Sequence, residues 1–453
     1  MKVTHVITGL NIGGAETMLY RLLQHSDKAE FEHRVISMTD IGATGEKIRA
    51  LGVPVRALEM RRGVPNPLGV LRLARWLNQE PPDVLQTWMY QADLVGGLAA
   101  RLAGGVPVAW GIHSAYLDPH SLKRSKIWTI RACVWASRWL PTRIVCCSEA
   151  SLKVHAELGY PVNKMLTIPN GCDLVTFKPD REARSAVRRE LGLHEGTPLI
   201  GLVARFDDRP AESGGAQSEV REAVARPRPT NSDLASPKDH RTFIRAAALL
   251  HARVPDANFV LCGVGITWQN TQLTEWIDAA GIRARSHLLG RRLDIPRVTA
   301  ALDVATSSSA YSEAWPLVLG EAMACGVPCA VTDVGDSALI VGDTGRVVPP
   351  RDPEALADAW HEILTLRSEA RVQLSLAARR RMEEHFDLNS AVSRYEELYR
   401  ELAFLSSPAA PGKGEIERNM PKPAASREPL EPSSTLRFGP PSAPDADNVV
   451  DGQ

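Results

Sequence analysis

The chain of 453 residues lacks any net charge, with 53 Lys and Arg against 53 Asp and Glu. That balance excludes a generally basic nucleic-acid binder and a generally acidic, solvating chain. Aromatic residues are few, at 6%, while hydrophobic residues reach 44%, so the chain is aliphatic-rich and neither fibrous nor wholly disordered. No apolar run attains the roughly 18 residues of a spanning helix. The longest candidate, Leu94 to Ile112, is interrupted by Arg101 and several glycines. The opening MKVTHVITGL enters a strand pattern with no apolar leader, which sets the expectation of a cytoplasmic protein. The seven cysteines (133, 146, 147, 172, 262, 325 and 329) form no Cys-x-x-Cys pair, so neither a disulfide framework nor a zinc site is expected. The Asp-x-Asp at Asp445 and Asp447 lies in a polar tail and reads as solvated charge, leaving no metal site in expectation.

Short aliphatic runs alternate with longer amphipathic stretches. VTHVITGL, HRVISMT, VPVRALE, DVLQTW, VPVAWGI, RIVCCS and MLTIPNG read as strands, with helices at Glu16 to His25, Pro67 to Gln79 and Ala92 to Leu102. The rhythm restarts with PLIGLVARF, ANFVLCGVG, HLLGR, DVATSSS, PCAVTD and GRVVPP. Such alternation predicts an α/β chain of two Rossmann-like, doubly wound parallel-sheet domains, 1–175 and 176–384. Asn170 to Asp180, with Asn-Gly and Pro turn chemistry, is the expected linker. Residues 207–237 hold four prolines without periodicity and are expected as a mobile insertion; residues 406–453 hold nine of the 32 prolines and are expected as a disordered tail. Residues 385–405 are expected as a C-terminal helix that packs back on the first domain.

The most informative stretch is SEAWPLVLGEAMACGVPCAVTD. Pro316 suits the first turn of a helix, which places Glu313 in the loop before it and Glu321 in its second turn, both facing one crevice. A helix N-terminus attracts phosphate, and a nearby carboxylate can take a pair of sugar hydroxyls, so the pattern suits a nucleotide-sugar. With Glu313, Glu321 and Gly326-Val327-Pro328 in place, the sequence resembles the family-4 retaining glycosyltransferases of the GT-B fold. The family has Gly after the first Glu, where this chain has Ala314-Trp315-Pro316. Pro316 cannot donate an amide to a bound phosphate.

Over roughly residues 1–404, three further stretches agree with the resemblance. LNIGGAE resembles the family's glycine-rich loop, in which Gly13 and Gly14 let backbone approach a phosphate or acceptor. Arg205 and Lys238 match the two cations that clamp the donor diphosphate, with the polar insertion spliced between them. His113, in WGIHSAY, matches the histidine that reaches the donor sugar from the acceptor side. The resemblance thus implies His113, Arg205, Lys238 and Glu313 as catalytic, and Gly13, Gly14, Gly263, Trp315, Leu317, Val318 and Glu321 as donor-binding. It implies front-face transfer with retention and no cofactor or metal. The expected partners are a nucleotide-sugar and a saccharide or polyprenyl-linked saccharide of surface or exopolysaccharide assembly, with no nucleic acid. Another GT-B nucleotide-sugar enzyme, epimerase-like, or a non-catalytic nucleotide-binding scaffold are the alternatives.

The flat charge is a cancellation. Residues 1–175 carry +6, residues 176–405 carry −4 and the tail −2. The densest basic run, Lys123 to Arg143, has six cations, no acid, and Trp128, Trp135 and Trp139. As one helix it puts Arg124, Arg131 and Arg138 in a stripe beside the tryptophans, which suits an anionic membrane surface. Packing of those tryptophans in the core is the competing expectation. A peripheral position on the inner face of the cytoplasmic membrane follows from the first.

Overall fold

The computed structural model describes residues 1–61, 66–115, 124–206 and 236–405; most of the insertion and the tail lie outside the described residues. Seven strands form the first sheet: β1 (Lys2–Ile7), β2 (Glu32–Ser37), β3 (Val55–Ala57), β4 (Val84–Trp88), β5 (Val108–Ile112), β6 (Arg143–Cys146) and β7 (Met165–Thr167). Six form the second: β8 (Leu199–Val203), β9 (Asn258–Cys262), β10 (Ser286–Leu288), β11 (Val304–Ser307), β12 (Cys329–Thr332) and β13 (Arg346–Val348). Their orders are β3-β2-β1-β4-β5-β6-β7 and β10-β9-β8-β11-β12-β13. Every pairing is parallel, from His5 opposite Val35 in the first sheet to Gly201 opposite Val260 in the second. Each of the thirteen strands falls on one of the aliphatic runs read from the sequence, and both sheets are doubly wound. Central strands such as β4 and β5 are buried along their whole length, as a sheet covered on both faces requires.

Helices fill the crossovers. The first half carries α1 (Gly14–His25), α2 (Gly42–Ala50), α3 (Pro67–Gln79), α4 (Tyr90–Leu102), α5 (Arg124–Ala136) and α6 (Glu149–Glu157). The second carries α7 (Arg181–Glu190), α8 (His240–Arg253), α9 (Thr271–Ala279), α10 (Ile295–Ala300), α11 (Leu317–Ala324), α12 (Ser337–Val341), α13 (Pro353–Thr365) and α14 (Ser368–His385). Capping sets several starts: Asn66 accepts from the Gly69 amide ahead of Pro67, and Asp180, Asn270 and Asp352 do the same for α7, α9 and α13.

The last described helix, α15 (Leu388–Leu405), returns to the first half. Its Leu388, Val392, Tyr395, Tyr399 and Leu402 share a core with Val3, Ile7, Leu19, Trp88 and Val145. The two chain passages between the halves run side by side: the Cys172 amide donates to the Phe386 carbonyl and the Leu388 amide to that of Cys172, each near 3 Å (2.8 and 3.0 Å). A Cβ at Gly171 would collide with the Leu388 backbone, so glycine is what this close approach demands.

The basic run departs from the single-helix expectation. α5 stops at Ala136, where the Ser137 hydroxyl turns back on the Val134 carbonyl and Pro141 follows, so Arg138 and Trp139 stand in the turn beyond it. Ile130, Cys133, Ala136 and Leu140 enter the core, whereas Trp128, Trp135 and Trp139 are 68%, 67% and 45% exposed. Core packing of the tryptophans is thereby overturned. Arg131 lies over the Trp128 ring at 5.7 Å, and Trp135 meets Trp139 edge to face at 5.2 Å.

Candidate active site

Parallel strands deliver their following loops to one edge of each sheet, and the residues at issue stand on those loops. Beyond β11, Ser309 and Glu313 are buried, and the Ser309 hydroxyl donates to Glu313 Oε1 at 2.6 Å. The same carboxylate oxygen takes the Lys238 ammonium. Lys238 is fixed from behind: its carbonyl accepts from the Ser308 hydroxyl, and the Pro237 carbonyl accepts from the Ala310 amide, both at 3.0 Å. Left-handed backbone flanks both members of the pair, at Asp239 (φ 43°) and Ser312 (φ 70°). Non-glycine residues hold that conformation where surrounding structure enforces it, commonly at ligand sites. Lys238 and Glu313, 75 positions apart, are thus one cluster.

Helix α11 begins one residue later than the sequence suggests, with Pro316 as its N-cap. Pro316 offers no amide and no capping side chain; its carbonyl accepts the Leu319 amide at 3.1 Å, and the Leu317 and Val318 amides ahead of it have no carbonyl of their own helix to donate to. Leu317 and Val318 open that turn, half-buried. Glu321 falls in the second turn and, with Gly201, Val203, Thr306 and Val318, lines a small recess above the ends of β8 and β11. Trp315, expected to bind the donor, is buried and packs its ring edge to face on Phe386 at 4.8 Å. Arg205 stands exposed after β8. Gly263 holds φ 155°, and a Cβ there would strike the Ala204 carbonyl, so this loop hugs the β8 loop that carries Arg205.

Glu321 also meets a residue that no motif marks. Arg21, on α1 of the first half, donates to Glu321 Oε1 at 2.7 Å, with both side chains close to nine-tenths buried at 11% and 12% exposure. Its other terminal nitrogen, Nη1, is buried with no hydrogen-bond partner among the described residues. Asp336, of the second half, spans the halves as well: its two carboxylate oxygens accept the Glu149 and Ala150 amides at the start of α6, each at 2.8 Å. Burial raises its pKa to about 6.

In the first half, Gly13 caps α1 without a side-chain bond and Gly14 begins it, with open space where a Cβ of Gly14 would stand. His113 follows β5. Burial lowers its pKa to about 4, so the imidazole is neutral near pH 7 and can donate to or accept from a hydroxyl. Its ring stacks on Trp88 at 5.0 Å and 19°. Beneath it, the buried Asp93 carboxylate accepts the Thr87 hydroxyl at 2.6 Å and the Gly111 amide at 3.2 Å, and burial raises its pKa to about 7. Among the described residues no cluster of His, Cys, Asp and Glu is placed to hold a metal ion.

Comparison with known proteins follows the same division. Residues 12–176 match the family described as Glycosyltransferase Family 4, and residues 232–365 match Glycosyl transferases group 1. The UDP-Gal:alpha-D-GlcNAc-diphosphoundecaprenol alpha-1,3-galactosyltransferase of Escherichia coli is 24% identical over 407 residues, which cover 88% of this chain and 96% of that enzyme. The N,N'-diacetylbacillosaminyl-diphospho-undecaprenol alpha-1,3-N-acetylgalactosaminyltransferase of Campylobacter jejuni is 23% identical over 367 residues, 78% of this chain and 87% of that enzyme. Among solved structures, HepE of Anabaena in complex with UDP superposes with a TM-score of 0.72 at 21% identity, over 88% of this chain and all of that one.

Proposed function

We propose a function for a chain that belongs to the glycosyltransferases, a family 4 half followed by a group 1 half on the GT-B fold: it moves a sugar, with retention, from a nucleotide-sugar to a polyprenyl-linked saccharide of surface or exopolysaccharide assembly. The observation that carries this reading is the Lys238, Glu313 and Ser309 cluster beside the N-terminus of α11. A carboxylate held by a cation and a hydroxyl is preorganised for sugar hydroxyls, and a cation with helix amides suits a diphosphate on which charge develops. In this reading Arg205 and Lys238 neutralise the leaving diphosphate without a metal, Glu313 orients the donor sugar, Glu321 takes the ribose diol, and neutral His113 holds the sugar from the opposite half. The donor C1–O bond breaks, the acceptor oxygen bonds to C1 on the same face, and the acceptor proton passes to the departing phosphate.

The acceptor class is drawn from the two bacterial relatives, whose names specify diphosphoundecaprenol-linked substrates. A panel of UDP-, GDP- and ADP-sugars tests the donor side through slow hydrolysis and protection against heat unfolding. One class should protect and be hydrolysed, with EDTA leaving the rate unchanged; absence of both responses across the panel rejects the reading.

The exposed Trp128, Trp135 and Trp139, interleaved with exposed Arg131 and Arg138, support peripheral attachment to an anionic bilayer on the cytoplasmic side, where such acceptors are anchored. Each surface cation contributes about 1 kcal/mol there. Flotation with phosphatidylglycerol vesicles should carry the protein. Alanine at all three tryptophans should leave it at the bottom of the gradient while turnover of a water-soluble acceptor is kept.

A further inference from the structure

His113 makes no hydrogen bond among the described residues; its ring rests on that of Trp88. What orients Trp88 therefore orients His113. Trp88 is fully buried, and the neighbouring Met89 holds a left-handed φ of 74°. Tyr395 of α15 stacks near Trp88 at 5.9 Å and 26°, which fixes the plane of the indole and leaves its rotation within that plane to its one polar atom.

That atom begins a chain of hydrogen bonds with a single direction. Indole nitrogen only donates, so Trp88 Nε1–H donates to His5 Nδ1 at 3.3 Å, and His5 must carry its proton on Nε2. His5 Nε2–H then donates to His33 Nδ1 at 3.0 Å, and His33 Nε2–H to the Ser26 hydroxyl oxygen at 2.9 Å. The Ser26 hydroxyl donates to Glu396 Oε1 at 2.8 Å, which also accepts the Asp27 amide at 2.8 Å. A donor-only group at one end and a carboxylate at the other leave one tautomer for each imidazole. Burial keeps both rings neutral, lowering the pKa of His33 to about 4 and that of His5 well below its ordinary value, as this arrangement requires. The four residues come from β1, β2, the C-cap of α1, and α15. Arg400 stands 3.8 Å from Glu396 Oε2 and balances its charge.

Stability does not call for such a chain, since well-packed apolar side chains of similar shape would serve a core as well or better. Orientation does call for it. We propose that Glu396, Ser26, His33 and His5 are positioning residues: they hold the Trp88 indole in one rotation and so hold His113, leaving both of its ring nitrogens to the donor sugar. The proposal rests on the reading of His113 given above.

Ser26→Ala in the full chain removes the link between His33 and Glu396 with the least change of volume, and Ser26→Thr restores the hydroxyl. The readouts are kcat, donor KM, melting temperature and the His113 ring proton resonance, assigned by its loss in His113→Gln. For Ser26→Ala we expect kcat to fall on the order of tenfold with donor KM within about twofold, since misplaced reacting groups cost rate more than binding. The His113 resonance should move out of its place over the Trp88 ring, and Ser26→Thr should return both signals. His33→Phe keeps a ring against Phe31 and breaks the middle link, so it serves if Ser26→Ala does not fold. A folded variant of either kind with wild-type kcat and an unmoved resonance overturns the proposal, as does a loss of rate with the resonance unmoved. If His113→Ala transfers at the wild-type rate, the role of His113 in the proposed function falls instead, and the resonance alone then decides whether the chain positions its ring.

Discussion

The two halves repeat one winding of strand and helix, yet they assemble their cleft-facing chemistry by different means. In the second half, Ser309, Glu313 and Glu321 stand within thirteen consecutive residues, and Lys238 joins them directly through an ion pair. In the first half, His113 is supported through ring stacking by Trp88, itself held by residues from β1, β2, the end of α1 and α15. In the proposed reading, charge placed next to the ligand performs the task in one half. Shape, transmitted through a neutral buried network, performs it in the other, with Arg21 and Asp336 joining the two. A group that stabilises charge can act from a short motif, whereas a group that must hold an angle needs support from several elements.

Three measurements would break or sharpen this contrast. The largest effect belongs to the charged cluster: Lys238→Ala or Glu313→Ala should lower the transfer rate by about 100-fold or more, the scale for removing one preorganised electrostatic contact. Product formation at saturating donor reads it, and near-wild-type turnover in both variants would remove the cluster from the site. Next comes the joint between the halves. Arg21→Ala leaves Glu321 buried without its cation and should cost about 3 kcal/mol of stability in denaturant unfolding. Arg21→Met combined with Glu321→Gln should recover most of that; if the double variant is as unstable as the single one, the pair is not what Arg21 contributes.

The smallest effect is a pH dependence that should differ between the halves. Burial depresses the pKa of His5, His33, His113 and His155, all in the first half, the last three to about 4. As the pH falls below about 6.5, the unfolded chain takes up protons that these rings refuse in the native state, so stability is lost from there toward pH 4. Each ring contributes at most about 1.4 kcal/mol per pH unit. Asp93, raised to about 7, acts in the opposite sense, one group against four, because its native state binds the proton first. In the second half burial raises Asp336 to about 6 and raises Asp239 as well, which acts against the depressed imidazole of His287. Hydrogen exchange at pH 7 and pH 5, expressed as opening free energies, should therefore show β1, β2, β4 and β5 weakening more than β8, β9 and β11.

The same division explains what the sequence disclosed. Strands buried on both faces leave uninterrupted aliphatic runs, so both sheets were legible, as was the helix that Asn66 and Pro67 begin. Glu313, Glu321 and Lys238 were legible because their neighbours in sequence carry the pattern. Arg21 was not: on an amphipathic helix an arginine reads as solvent-facing, and its partner lies 300 positions away. Nor was the network under His113, since His5, His33 and Trp88 acquire meaning only once β1 lies between β2 and β4. The packing of Trp315 on Phe386 was not legible either, since the two are 71 positions apart.

The helix α15 ties synthesis to this architecture. The apolar seat formed by Ile7, Leu19, Trp88 and Val145 leaves the ribosome long before Tyr395, Tyr399 and Leu402 exist to cover it. With the whole second half translated in between, the delay is roughly 12 to 50 seconds at ordinary elongation rates. Over that interval the part of this core that α15 covers stays exposed, although α1 and α2 already pack on it, and the helix that closes it is the one that brings Glu396 to Ser26. The core of the first half is therefore completed only after the second half has been made.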